Sequence, residues 1–302
     1  MISIIISSRD NGMLQNTANN IAQTIGVPYE LVVIQNNEGK YGICKAYNQG
    51  ADRAKYDILC FMHEDISFET QGWGQNVARH LSNKEIGLIG IAGGDTKSLV
   101  PSSWPSSIFQ SEISIIQHYS DKQKAADKIV TTGYPDDTNL YKKVACIDGA
   151  WMCTRKDVFA KYRFDETTFK GFHCYDIDYS LQLRPDYAVC VVFDVLLHHY
   201  SEGSFNDVWL QSTILLSKKW RKQLPYSVRP LSKDEFVRQH WTSMNIFVEK
   251  MFELNYSFSF IVAQFLRFSC NRFFRFRYFL HTSKNILLKQ PKNEDQYSYY
   301  NI

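Results

Sequence analysis

The sequence contains no Cys-x-x-Cys pair: its seven cysteines, Cys44, Cys60, Cys146, Cys153, Cys174, Cys190 and Cys270, are odd in number and scattered. That pattern excludes both a disulfide framework and a zinc cluster, and it predicts a cytoplasmic chain. No run approaches the ~20 apolar residues that span a bilayer. Met1 leads directly into the apolar run Ile2 to Ile6, with no basic segment and no small-residue cleavage site. A core strand is therefore expected there, not a signal peptide. Charge imbalance is small as well. A net charge of +3 gives little long-range attraction to polyanions, so nucleic acid is not expected as a partner. Gly87, Gly90, Gly93 and Gly94 lack the G-x-G-x-x-G spacing, which argues against a dinucleotide-dependent dehydrogenase. Internal repeats are absent.

What is present is a 302-residue chain, 44% hydrophobic and 22% charged, with 15% aromatic residues. That length can bury a core unaided, and the aromatic excess suits a bulky core or a sugar-binding surface. Through the first hundred residues, β-rich runs alternate with helical patterns. Strands are expected at Ser3 to Ser7, Glu30 to Ile34, Ile58 to Met62 and Ile86 to Ile91. Helices are expected at Met13 to Ile25, Ile43 to Ala54 and Trp73 to Leu81. Strands apolar on both faces between helices specify an α/β fold with a mostly parallel sheet. Asp95 to Tyr141 has weak periodicity and reads as a long loop on the acceptor side of a site. A helix near Asp157 to Tyr162, a strand at Ala188 to Phe193 and a helix from Asn206 to Arg221 follow.

Pro225 and Pro230 bracket a boundary between residues 1–225 and a helical region, 226–302. Between Leu254 and Glu294 stand Arg267, Arg272, Arg275, Arg277, Lys284, Lys289 and Lys292, with no acidic residue. Val262, Phe265, Leu266, Ser269, Phe273, Phe276 and Leu280 share a helical spacing, with Gln264, Arg267, Asn271 and Arg275 opposite. The pattern is that of a basic amphipathic helix. Such a helix meets an anionic membrane surface, giving a peripheral protein, or its aromatic stripe packs on the N-terminal domain or in a homo-oligomer.

Three clusters carry chemistry. His63-Glu64-Asp65 ends an apolar strand, where open α/β sheets bind their ligands, and the Asp65 carboxylate is a hard ligand suited to a divalent cation. Alone, such a tripeptide is also an ordinary solvated turn. Asp176 and Asp178 precede the run Tyr179 to Leu183, where a carboxylate either caps a helix or acts as a general base toward a hydroxyl. His198 and His199 follow the strand Ala188 to Phe193. Adjacent side chains diverge, so at most one of them serves as a ligand.

In this order the segments resemble the family-two glycosyltransferases of the GT-A fold, in the branch with His-x-Asp as metal motif. The resemblance runs from Ser3 to about Trp220. Ser3 to Arg9 looks like the opening nucleotide-binding strand and loop, Tyr29 to Asn37 the second strand with its base-binding turn, and Gly42 to Gly50 the helix motif that follows. Asp148 to Met152 is similar to the segment lining donor sugar and acceptor, and His199 to Ser204 to the histidine-serine-glycine element. The resemblance implies an inverting transfer from a nucleotide-sugar donor to a saccharide or lipid-linked acceptor, in polysaccharide or glycoconjugate synthesis, with Mn2+ or Mg2+ as cofactor. It assigns Asp176 as base and Asp65 and His199 as metal ligands. Ser7, Arg9, Asn36, Asn37, Asn48, His63, Glu64 and Asp65 would meet the donor, and Gly149, Trp151 and Asp178 the sugar or acceptor. Three positions depart from the commoner pattern: Asn36-Asn37 replaces Asp-Asp, His63 a carboxylate, and Tyr175 a Glu. A nucleotidyltransferase or a non-catalytic sugar-binding scaffold are the alternative readings.

Overall fold

Alternation of side chains along the strands decides how this chain layers. In β1 (Ile2–Ser8), Ile2, Ile4 and Ile6 enter one core and Ile5 the other; in β3 (Ile58–Met62), Cys60 and Met62 join the first set while Leu59 and Phe61 join the second. Strands buried on both faces must be covered by helices on both faces. The computed structural model describes residues 1–105, 111–119, 128–132 and 140–288.

The central sheet has seven strands in the order β10-β13-β5-β12-β3-β1-β2. Its other members are β2 (Tyr29–Gln35), β5 (Ile86–Gly90), β10 (Tyr141–Val144), β12 (Trp151–Arg155) and β13 (Ala188–Val192). β1 runs parallel to β2 and β3, and β13 parallel to β5; only β10 and β12 run the other way. The first helices are α1 (Asn11–Thr24), α2 (Ile43–Arg53) and α3 (Trp73–Ser82), followed by α4 (Lys156–Lys161), α5 (Tyr175–Leu183) and α6 (Asp207–Lys219). Asp10 caps α1 by accepting from the N–H groups of Gly12 and Met13 at 2.7 and 2.9 Å.

A second sheet carries β4 (Ile66–Phe68), β6 (Ala92–Gly94), β8 (Ser111–Gln117), β11 (Cys146–Ile147) and β14 (Leu197–His199), with β9 (Lys128–Thr131) paired to β8. Part of the expected acceptor loop, Asp95 to Tyr141, is thus sheet. Ile113 and Ile115 of β8 point into the core, and Ser114 bonds the Val195 carbonyl at 2.9 Å. The polar residues between them hid a period of two. The rest of that stretch lies partly outside the described residues.

Asp176 and Asp178 stand inside the first turn of α5, not ahead of it. β7 (Thr96–Lys97) pairs with β15 (Tyr226–Ser227), and Arg229 binds Asp95 at 2.7 Å. The helices α7 (Lys233–Glu253), α8 (Phe258–Ser269) and α9 (Phe276–Leu288) share a core with Trp209, Leu210 and Ile214 of α6. α7 opens with a capping box between Ser232 and Glu235. The single basic helix expected here is two, broken between Cys270 and Arg275. Gln264, expected on the outer face, is buried, while Leu266, Phe276 and Leu280 are exposed. No described helix is long and apolar enough to cross a membrane.

Candidate active site

Strand ends on one edge of the two sheets open into a cleft of about 690 Å3, within the range of small-molecule sites. Ser7, Arg9 and Asn36 line it at the ends of β1 and β2, and His63, Glu64 and Asp65 at the end of β3. Gly149 lines it from the turn between β11 and β12, Asp176 from the first turn of α5, and His199 from β14. Residues 7, 65, 149, 176 and 199 thus converge from five separate segments.

At its centre His63, Asp65 and His199 each offer one ligand atom, all within 4.8 Å of one another. Nδ1 of His63 lies 3.9 Å from Oδ1 of Asp65 and Nε2 of His199 3.9 Å from its Oδ2, and the two rings stand 6.1 Å apart. Hydrogen bonds fix which nitrogen of each ring carries its lone pair. Tyr175 Oη donates to the Gly149 carbonyl at 3.0 Å, so it can only accept from Nε2 of His63 at 2.8 Å. His63 therefore keeps its proton on Nε2 and turns a bare Nδ1 toward Asp65. Gln117 Nε2 donates to the carbonyls of His118, His199 and Ser201, which leaves Gln117 Oε1 to accept from Nδ1 of His199 at 3.1 Å. His199 thereby turns its Nε2 toward Asp65, with Ser201 Oγ 3.4 Å from the same nitrogen. Among the described residues, Asp65 Oδ1 is buried without a hydrogen-bond partner. Two imidazoles with a ring nitrogen turned toward Asp65 and an unsatisfied carboxylate oxygen make a donor set that fits a divalent cation. Burial alone would raise Asp65, yet the adjoining His63 and His199 hold it below its ordinary value. Burial lowers His63, against the opposing pull of the Asp65 charge.

Asp176 faces the same cleft. Desolvation, then the negative charge of Asp148, push its carboxyl up to about 7 despite bonds from backbone N–H groups. Asp148 itself is tied down by Trp104 Nε1 and by the Ala150 N–H, both at 2.8 Å. The turn that delivers Asp176 is tight: Cys174 has φ 67°, a left-handed conformation that a non-glycine residue adopts at a cost of about 1–3 kcal/mol. Gly149 is required by the same turn, since a Cβ there would sit 2.1 Å from Tyr175 Oη. Gly42, at the start of α2, admits the Lys170 carbonyl in the same way, at 2.1 Å from a Cβ.

Other expected contacts divide. Glu64 lines the cleft but spends its carboxylate on the β1–α1 loop, accepting from Ser8 Oγ at 2.7 Å and the Arg9 N–H at 2.9 Å. Asn36 clips its own turn, bonding the Tyr41 backbone at 2.8 and 2.9 Å. Asn37 is exposed and does not line the cleft. Three expectations are corrected more fully. Trp151 is fully buried against Phe68 and Trp73 because alternation along β12 turns it into the core. Asp178, two residues beyond Asp176, points to the far side of α5, where Lys219 lies 2.7 Å and Trp220 Nε1 2.7 Å away. Asn48 is buried under α2 and donates to the Phe164 carbonyl and Glu166. Conversely, His63 stands with Asp65 and His199 in the group that could hold a metal ion. Gln117, Tyr175, Asp148 and Trp104 belong to the site without having been assigned to it. His198 turns away from the cluster, toward His118 and Glu69 at 2.8 and 3.2 Å.

The model of the Glycosyltransferase like family matches residues 3–222, most of the chain. The chain belongs to that family. No curated protein matches it. Among solved structures, the fold of this glycosyltransferase-like chain is similar to that of GalNAc-T7, crystallised with UDP, GalNAc and Mn2+, at 12% identity and a TM-score of 0.52. That match covers 96% of this chain, which spans only 58% of the GalNAc-T7 chain. It is also similar to residues 1–349 of S. aureus TarS in complex with UDP, at 11% identity and a TM-score of 0.51, covering 97% of this chain and 93% of that one. At such identities the likeness shows the shared GT-A fold: a large sheet flanked by helices, with further helices at the C-terminus.

Proposed function

We propose that this chain is a metal-dependent, inverting glycosyltransferase that moves a sugar from a uridine-type nucleotide-sugar donor to an acceptor hydroxyl. The observation that carries the reading is the convergence of Asp65, Asp176 and His199 on one cleft large enough for a nucleoside diphosphate. Family membership and two neighbours crystallised with UDP support the donor class.

In this reading Nδ1 of His63, the Asp65 carboxylate and Nε2 of His199 hold the cation. A bound divalent cation neutralises charge on the departing diphosphate. Two imidazoles favour manganese over magnesium, which prefers an all-oxygen shell. Asp176 takes the proton of the acceptor hydroxyl as that oxygen bonds to the anomeric carbon. The bond from carbon to diphosphate oxygen breaks in the same displacement, so the configuration inverts. A carboxyl raised to about 7 is well matched to this role near neutral pH. Arg9 and the backbone of the β1–α1 loop, braced by Glu64, border the donor end. Trp104 and the residues near Phe172 border the acceptor end, where a saccharide or a lipid-linked saccharide would lie.

The test is release of nucleoside diphosphate from a panel of nucleotide sugars with Mn2+, comparing wild type with Asp65→Ala and Asp176→Asn. Turnover in wild type that both variants lose supports the reading; turnover retained in Asp65→Ala overturns it.

A further inference from the structure

We propose that α9 and the turn before it form a seat for an anionic membrane surface. This is a property of a face outside the cleft, and it holds or fails independently of the transfer reaction. α9 is apolar on two sides. Its inner side is occupied: Phe279 stacks on Phe265 at 5.0 Å, Ile286 enters the core, and Thr282 bonds Asn245 at 2.8 Å. Its outer side carries Phe276, Leu280 and Leu287, exposed by 66, 50 and 71%. At 100° per residue these three fall within about 40° of one another, and Arg277 and Lys284 flank them on the same outer side. Arg267 and Arg272, also exposed, extend the positive charge toward the end of α8.

Large apolar side chains in water, bordered by cations, describe a helix that lies in the headgroup region with its cations against lipid phosphates. Between Leu254 and Glu294 the sequence supplies no carboxylate to neutralise those cations. A second copy of the chain is a poor occupant, because a two-fold contact through this face sets the same cations against each other. At 13 residues α9 cannot cross a bilayer, so the mode is attachment in the plane of the surface.

The experiment is flotation of the full chain with vesicles of phosphatidylglycerol or phosphatidylcholine. Wild type is expected to float with phosphatidylglycerol at low ionic strength, to dissociate as salt rises, and to ignore phosphatidylcholine. Arg277→Gln with Lys284→Gln should weaken the partition roughly 25-fold, at about fivefold per cation. Phe276→Ser with Leu280→Ser and Leu287→Ser should abolish it. Both variants alter exposed positions and should keep the wild-type circular dichroism and melting temperature. Lys84→Gln with Lys222→Gln, remote cations, should change nothing. The proposal is overturned by failure of folded wild type to float with phosphatidylglycerol, by equal loss in the remote-cation control, or by a dimer in sedimentation that the Phe276, Leu280 and Leu287 changes dissociate.

Discussion

Tyr175 Oη accepts from Nε2 of His63 at 2.8 Å, and this one bond decides which nitrogen of the ring faces Asp65. Tyr175→Phe removes the acceptor while keeping the ring, so His63 is free to shift tautomer and rotate. Outer-shell partners of this kind are typically worth 10- to 100-fold in metal affinity. Calorimetric titration of Mn2+ should show a loss of about that size in Tyr175→Phe, alongside a destabilisation of about 1–3 kcal/mol from the stranded Gly149 carbonyl. Unchanged affinity would mean that His63 is not a ligand.

Asp176 gives a pH prediction with a definite sign. Its folded carboxyl is raised to about 7 from an ordinary value of 3.8, so the base form accumulates only as pH rises through about 7. The rate of transfer should rise along that limb. Stability should move the other way: the folded state holds this proton more tightly than the unfolded chain, so stability falls as pH rises from about 4 to about 7 and is then level. Asp176→Asn should cost roughly 10²- to 10⁴-fold in kcat. Urea unfolding should find the variant more stable than wild type at pH 8 and nearly equal at pH 4.

Asp178 should behave differently, since it touches Lys219, Trp220 and Gln182 and no part of the cleft. Asp178→Ala strands a lysine and an indole N–H at the α5–α6 contact, and breaking a buried ion pair from one side costs about 3–5 kcal/mol. Chemical denaturation should register that loss, with KM for the donor unchanged in the folded fraction. A variant of wild-type stability with a raised KM would return Asp178 to the site.

These outcomes mark how far the sequence could be read. The helices α1 to α3 and the strands β1, β2, β3 and β5 were legible because apolar periodicity, Gly26 and the proline breaks all agreed. That Asp65, Asp176 and His199 line one cleft was legible because each stands at a strand or helix end within an ordered set of motifs. Trp151 and Asp178 were misplaced for one physical reason: a neighbour one or two positions away on a strand or helix faces a different side, and motif membership does not record the side. Gln117 left no local signal, being one amide in a stretch with masked periodicity. Its role exists only through three carbonyls gathered from residues 118, 199 and 201. Tyr175 was visible only as a departure from a commoner Glu, and the 2.8 Å bond to His63 gives that departure a purpose.

Calorimetric binding of UDP with and without Mn2+, in wild type and in Asp65→Ala, decides whether the cleft holds a nucleoside diphosphate through a metal on Asp65. The account predicts that UDP binds wild type when Mn2+ is present, that Mg2+ substitutes poorly, and that omission of metal or loss of the Asp65 carboxylate abolishes the heat. Equal UDP affinity without metal, or undiminished Mn2+-dependent binding by Asp65→Ala, would contradict it.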